Sequence, residues 1–238
     1  MEKYVKVSGG SKIYLRILGQ GEALILLHGN GENSHYFDKQ IRDFAKYFKV
    51  IAIDTRGHGK SDPIKEKLTF EDLSRDLLDI LNFLKIDKAN ILGFSDGANI
   101  ALVFAKNYPS RIKKLILNSP NKNVDQIKLL PRIFSFIFYY LLKIVSNLCK
   151  RFRNYFSVYS LIFDTIKIKD SDFKKIDFPV LIIAGAKDLI YIDTFYRIAK
   201  KIKKSKLSII KGHGHKVAHT NPKEYNKIIL DFLRRKAD

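Results

Sequence analysis

The chain has 238 residues, 46% hydrophobic and 29% charged, which suffices for one generous domain with a substantial core and a solvated surface. Its formal net charge of +20, from 44 basic and 24 acidic residues, favours polyanions and anionic membrane surfaces as partners. The single cysteine, Cys149, excludes an internal disulfide and makes a reducing, cytoplasmic compartment the simpler expectation.

The first residues, Met1 to Lys6, contain no long apolar run, so no secretory signal is expected. Tyr4 to Val7 and Lys12 to Leu18 alternate apolar and polar residues, as half-buried strands do, with Ser8-Gly9-Gly10 as the turn between them. Ala23 to Leu27 is continuously apolar, the pattern of a strand buried on both faces of a parallel sheet, and it ends in His28-Gly29-Asn30-Gly31. Phe37 to Phe48 has helical periodicity. Val50 to Asp54 reads as another buried strand, ending in the polar, glycine-punctuated loop Asp54 to Asp62. Thr69 caps a predicted helix that runs to Lys85, with Asp72 three residues on completing a capping box.

Asn90 to Phe94 is a short apolar run, and from Ala98 apolar residues recur at helical spacing. Between them lies Gly93-Phe94-Ser95-Asp96-Gly97, a match to G-x-S-x-G. A strand that turns into a helix this sharply needs small neighbours, and the two glycines supply them. Ser95 then sits at the tip of the turn, where free N–H groups and the positive end of the helix dipole favour a developing negative charge. Taken alone, the motif also fits a serine that merely caps the helix.

The helix is expected to stop near Pro109, and Ile112 to Leu117 reads as a strand. From Leu24 onward strands and helices alternate, so the expected class is α/β, with a mostly parallel sheet and helices on both faces. The alternation breaks between Pro120 and Phe178. Ile133 to Leu142 is almost wholly apolar and continues to Leu148. With Lys143 inside it, the stretch reads as too short to span a bilayer, which takes about 20 residues. A helical insert over the carboxyl edge of the sheet is favoured; the alternative is an interfacial membrane helix with Lys150, Arg151 and Arg153 at its end. Alternation resumes with Pro179 to Gly185 and a helix over Asp193 to Ile202. Leu207 to Ile210 is the last strand, and Pro222 opens a closing helix. The cluster Lys200, Lys201, Lys203, Lys204 and Lys206 has no interleaved aromatic residue. It reads as a solvated face, and nucleic-acid binding is not expected.

In parallel sheets ligands bind at the carboxyl ends of the strands, where His28, Asp54 and Ser95 fall. A serine hydroxyl needs a base and a group that orients the base. Asp188 and His215 follow two later strands, in the chain order Ser95, Asp188, His215 of nucleophile-elbow enzymes.

Five segments in this order resemble the α/β-hydrolase fold superfamily: His28 to Gly31, Asp54 to Asp62, Gly93 to Gly97, Gly185 to Asp188, and Gly214-His215. The resemblance implies a central sheet of about eight strands, formed by residues 1–119 and 179–238, with residues 120–178 as a helical cap. It implies Ser95 as nucleophile, His215 as general base and acid, and Asp188 as orienting carboxylate. It implies an oxyanion hole from the backbone N–H groups of Asn30 and Asp96, with His28 and Gly29 supporting that loop. No cofactor and no metal are expected.

His213 competes with His215 for the base role, although Gly214-His215 before Pro222 fits the family spacing better. A metal site at His213, His215 and His219 would leave Ser95 without a base and has no acidic residue in its loop. Asp193 is the reserve acid. Asp54 and Arg56 read as loop-holding. Asp96 reads as a helix-terminal carboxylate, or as a pocket group that favours a cationic substrate.

The expected function is hydrolysis of a carboxylic ester or related acyl compound, through an acyl-enzyme, on a small molecule with an apolar part. Carbon–carbon bond hydrolysis, cofactor-free haloperoxidase chemistry and a non-catalytic, membrane-surface module are the alternatives. A weak peripheral contact with anionic membrane is allowed by the charge, and the oligomeric state is open.

Overall fold

The computed structural model describes residues 1–64 and 67–235. Eight strands form one sheet: β1 (Glu2–Lys6), β2 (Lys12–Leu18), β3 (Ala23–Leu27), β4 (Lys49–Asp54), β5 (Ala89–Phe94), β6 (Ile112–Asn118), β7 (Val180–Gly185) and β8 (Ser205–Ile210). Their order across the sheet is β1-β2-β4-β3-β5-β6-β7-β8. β1 and β2 pair antiparallel, as does β2 with β4, and β3 to β8 run parallel. The expected mostly parallel α/β sheet is therefore present. β3, β5 and β7 are buried along their whole length, which their unbroken apolar runs require.

The helices are α1 (Asp38–Phe44), α2 (Phe70–Phe83), α3 (Asp96–Asn107), α4 (Leu129–Leu148), α5 (Arg153–Ser160), α6 (Asp170–Lys174), α7 (Ile192–Lys201), α8 (Val217–Thr220) and α9 (Pro222–Arg234). Alternate residues of each strand face opposite cores. Ile25 and Leu27 of β3 pack with α2, α3 and α7, through Leu77, Phe104 and Phe195 among others. Leu24 and Leu26 pack on the other face with α1 and α9, through Phe44, Tyr225 and Ile229. Each such aliphatic or aromatic side chain, fully withdrawn from water, contributes roughly 1.5–3 kcal/mol.

The capping box of α2 is formed: Thr69 accepts from the Asp72 backbone N–H, and Asp72 accepts from that of Thr69. The helical periodicity over Phe37 to Phe48 resolves differently. A 3₁₀ turn covers Ser34–Phe37, and α1 ends at Phe44. Phe48 is buried from the turn that leads into β4. The pattern records which side chains face the core, and a turn after the helix fills the same positions.

Helix α4 corrects the expectation of a stretch too short to cross a bilayer. It runs 20 residues, and by length and composition it is long and apolar enough to span one. Pro131 lies in the first turn, where backbone N–H groups have no intrahelical partner, so the helix starts ahead of it at Leu129. Among the residues of α4 only Leu142 and Ser146 are buried.

Strand succession reverses around β3: the chain passes from β3 to β4 on one side, then returns to β5 on the other. The carboxyl ends of β3 and β5 thus flank a crevice, the position at which such sheets bind ligands.

Candidate active site

Ser95 lies between the end of β5 and the start of α3 with φ 52° and ψ −117°, a left-handed backbone that a non-glycine residue rarely adopts. Its N–H donates to the Asn118 carbonyl at 2.8 Å, which ties the turn to β6. A Cβ on Gly97 would lie 2.1 Å from the Leu27 carbonyl oxygen, and one on Gly93 2.2 Å from that of Gly97. Gly97 therefore lets the turn press against the end of β3, and Gly93 lets the start of α3 fold close over β5.

Ser95 Oγ lies 3.1 Å from His215 Nε2, and His215 Nδ1 lies 2.8 Å from Asp188 Oδ1. With Nδ1–H donating to the carboxylate, Nε2 presents its lone pair to the serine O–H. Asp188 is fully buried. Its Oδ2 accepts from the Ser119 hydroxyl at 2.6 Å, and its Oδ1 accepts also from the Ile190 N–H at 3.0 Å. Three donors thus fix one carboxylate. The structure brings Ser95, Asp188 and His215 together from loops after β5, β7 and β8.

The loop after β3 passes beside Ser95. Neither the Asn30 nor the Asp96 backbone N–H meets an acceptor among the described residues. His28 Nε2 accepts from the Thr55 N–H at 3.0 Å, which leaves Nδ1–H to donate to the Gly29 carbonyl at 2.8 Å. His58 holds the same loop from the other side: its Nε2 accepts from the Gly31 N–H at 3.1 Å, and its Nδ1 lies 3.1 Å from the Arg56 carbonyl. Burial, with the neighbouring His58 ring, pushes His28 down to about 3, and burial also lowers His58. Both rings stay neutral and keep an acceptor nitrogen. The Asn30 amide donates to Asp96 Oδ2 at 2.9 Å and to the Val158 carbonyl of α5 at 2.7 Å, linking three segments. Asp96 is the first residue of α3 and also lines the pocket. Burial pushes its carboxyl up to about 6, opposed by the Asn30 hydrogen bond.

A cavity of about 320 Å³ opens over Ser95 and His215. Phe94, Ile127, Pro131, Ile162, Leu189 and Ile190 form its apolar walls. Asn30, Asp96 and Asn121 add polar groups. At the rim Lys216 pairs with Glu32 at 2.8 Å.

The other candidates stand apart. His213 Nδ1 bonds Thr220 Oγ1 at 2.9 Å, and His219 Nε2 donates to the Tyr36 carbonyl at 2.6 Å. Asp193 is exposed and pairs with Arg197. Asp54 accepts from the Ser34 and Lys60 N–H groups at 2.7 and 2.8 Å, and half-buried Arg56 pairs with buried Asp76, so both hold the loop. Sequence reasoning passed over His58, Asn118 and Ser119. The one mark available was their place: Asn118-Ser119 ends the strand between the serine's and the aspartate's strands.

A family model described as alpha/beta hydrolase fold matches residues 22–154, more than half of the chain. The chain is 28% identical to human "Serine hydrolase BPHL" over 255 aligned residues, covering 94% of this chain and 84% of that protein. It is 29% identical to a 2-hydroxy-6-oxononadienedioate/2-hydroxy-6-oxononatrienedioate hydrolase of Burkholderia vietnamiensis over 275 aligned residues, covering 98% and 96%. An uncharacterized Mycobacterium tuberculosis protein is 32% identical over 126 residues. That match spans 53% of this chain and little more than a third, 37%, of the mycobacterial protein. Among solved structures, the enol-lactonase from Burkholderia xenovorans LB400 superposes with a TM-score of 0.82 at 22% identity, covering 98% of this chain and all of that one, a likeness of fold. The chain therefore belongs to the alpha/beta hydrolase fold family.

Proposed function

We propose that the protein is a serine hydrolase that cleaves a carboxylic ester or related acyl compound through an acyl-enzyme. The observation that carries this reading is the line from Ser95 Oγ through His215 to Asp188, at 3.1 and 2.8 Å, beside two open backbone N–H groups. Ser95 Oγ attacks the carbonyl carbon while His215 Nε2 takes its proton, and Asp188 holds the resulting imidazolium. The carbonyl oxygen gains the negative charge and meets the N–H groups of Asn30 and Asp96. Collapse breaks the bond to the leaving group, which receives the proton from His215. Water, deprotonated by the same nitrogen, then attacks the acyl carbon and frees Ser95.

The cavity walls favour an apolar acyl or aryl portion, and its volume suits a small substrate. Residues 120–178 act as the cap in this reading: Ile127, Pro131, Ser135 and Ile162 of that segment line the cavity.

A fluorophosphonate probe tests the nucleophile. It should label Ser95, and Ser95→Ala should lose both labelling and at least about 10³-fold of kcat on short p-nitrophenyl esters. Full esterase activity in Ser95→Ala would sink the reading. The Burkholderia vietnamiensis relative favours a second reading, in which the same three residues cleave a carbon–carbon bond beside a ketone. Turnover of a diketone substrate faster than any ester in a side-by-side panel would select it.

A further inference from the structure

We propose that helix α4 docks flat on an anionic lipid bilayer, with its outward face among the acyl chains and the basic residues at its end on the headgroups. Leu130, Phe134, Ile137, Leu141, Ile144 and Leu148 recur every three or four residues, and all are exposed, Leu148 to 83%. Ile133, Phe138 and Tyr140 flank that row and are exposed too. At 3.6 residues per turn this apolar arc covers about half of the helix circumference. A monomer rarely leaves so much contiguous apolar surface in water.

The width of the arc and the charge around it identify the partner. A second helix would cover the central row and leave the flanking aromatic residues wet. A bilayer covers the whole arc. From Leu129 to Phe163 the sequence holds no aspartate or glutamate. Lys143, Lys150, Arg151 and Arg153 are exposed, and none forms an ion pair among the described residues. A second copy would bring like charges together across such a contact, whereas anionic headgroups offer the opposite sign. Arg151 also sits among Phe138, Phe152 and Tyr155 in a hollow of about 590 Å³ between α4 and α5, so cation and aromatic rings share one face.

The helix lies in the surface and does not cross it. Its opposite side carries buried Leu142 and Ser146, and Pro131 and Ser135 face the cavity over Ser95. Docking of this kind needs no chemistry at Ser95, and a Ser95→Ala chain docks equally.

The test spins the full-length protein with phosphatidylcholine vesicles, with and without phosphatidylserine, at low and high salt. The protein should pellet with phosphatidylserine vesicles at low salt and release as salt rises. Arg151→Gln and Arg153→Gln should each weaken that partition roughly fivefold. Phe134→Asp should weaken it roughly tenfold or more, and so should Leu148→Asp, at a position too exposed to affect folding. Unchanged thermal midpoints show that the variants are folded. Wild-type protein that stays in the supernatant at low salt with phosphatidylserine overturns the proposal. So does a sedimenting dimer that Phe134→Asp dissolves while neither form binds vesicles, the mark of a second copy on this face.

Discussion

Asp188 shows how much of a site rests on residues that do no chemistry themselves. Its carboxylate takes hydrogen bonds from His215, Ser119 and the Ile190 backbone, and none of its surface meets water. Ser119 in turn is held in a left-handed backbone, φ 55°, at the end of β6. A hydrogen bond to a buried charge is worth about 1.5–3 kcal/mol, so Ser119→Ala should lower kcat/KM roughly 10- to 100-fold while KM for a small ester changes little. Unaltered kcat in a folded Ser119→Ala protein would remove Ser119 from the machinery. Asp96 carries the pH signature. Its carboxyl rises from an ordinary 3.8 to about 6, so between those values the folded chain holds a proton that the unfolded chain has lost. Stability therefore falls as pH rises through that window. Asp96→Asn lacks this loss and should gain up to about 3 kcal/mol on the wild type between pH 4 and pH 8. Urea titrations at both pH values decide it, and an equal difference at the two pH values counts against the assignment. Ser95 was legible because its neighbours form a motif; Ser119 was not, because a lone serine at a strand end has no local mark.

The strand-to-helix turn is the element on which the site depends. Gly97 has no room for a side chain, since any Cβ would overlap the Leu27 carbonyl. Gly97→Ala should cost more than about 3 kcal/mol or abolish folding, read as a loss of midpoint in thermal melts. A melt like the wild type would show that β3 and the turn separate easily. Helix α2 offers a milder case. Removing its cap by Thr69→Ala should cost about 1 kcal/mol and lower the melting midpoint by about 2–4 °C, without change in turnover. The capping box was readable because it is local, three residues apart. The length of α4 was not, because the apolar run begins at Ile133 and holds Lys143, whereas the helix itself starts at Leu129 with Pro131 in its first turn.

At the scale of the molecule, a net charge of +20 sets the response to salt. Most ion pairs are on the surface and contribute little, as with Lys46–Asp43 and Lys60–Glu2. Self-repulsion outweighs them, so the melting midpoint should rise as sodium chloride goes from about 0.01 to about 0.15 M. A falling midpoint would mean that specific pairs dominate. The amino-acid sequence by itself determined the alternation of buried strands and amphipathic helices, the sharp turn at Ser95, and the order of serine, aspartate and histidine. These follow from hydrophobic period and from small residues at fixed offsets, which act over a few neighbours. Only the tertiary structure decided that His58 and Ser119 buttress the site, that Asn30 bridges Asp96 to α5, and that the apolar face of α4 is left uncovered. Each of these depends on which distant segments the sheet order makes adjacent, and residues 30 and 158 become neighbours only after the whole chain has packed.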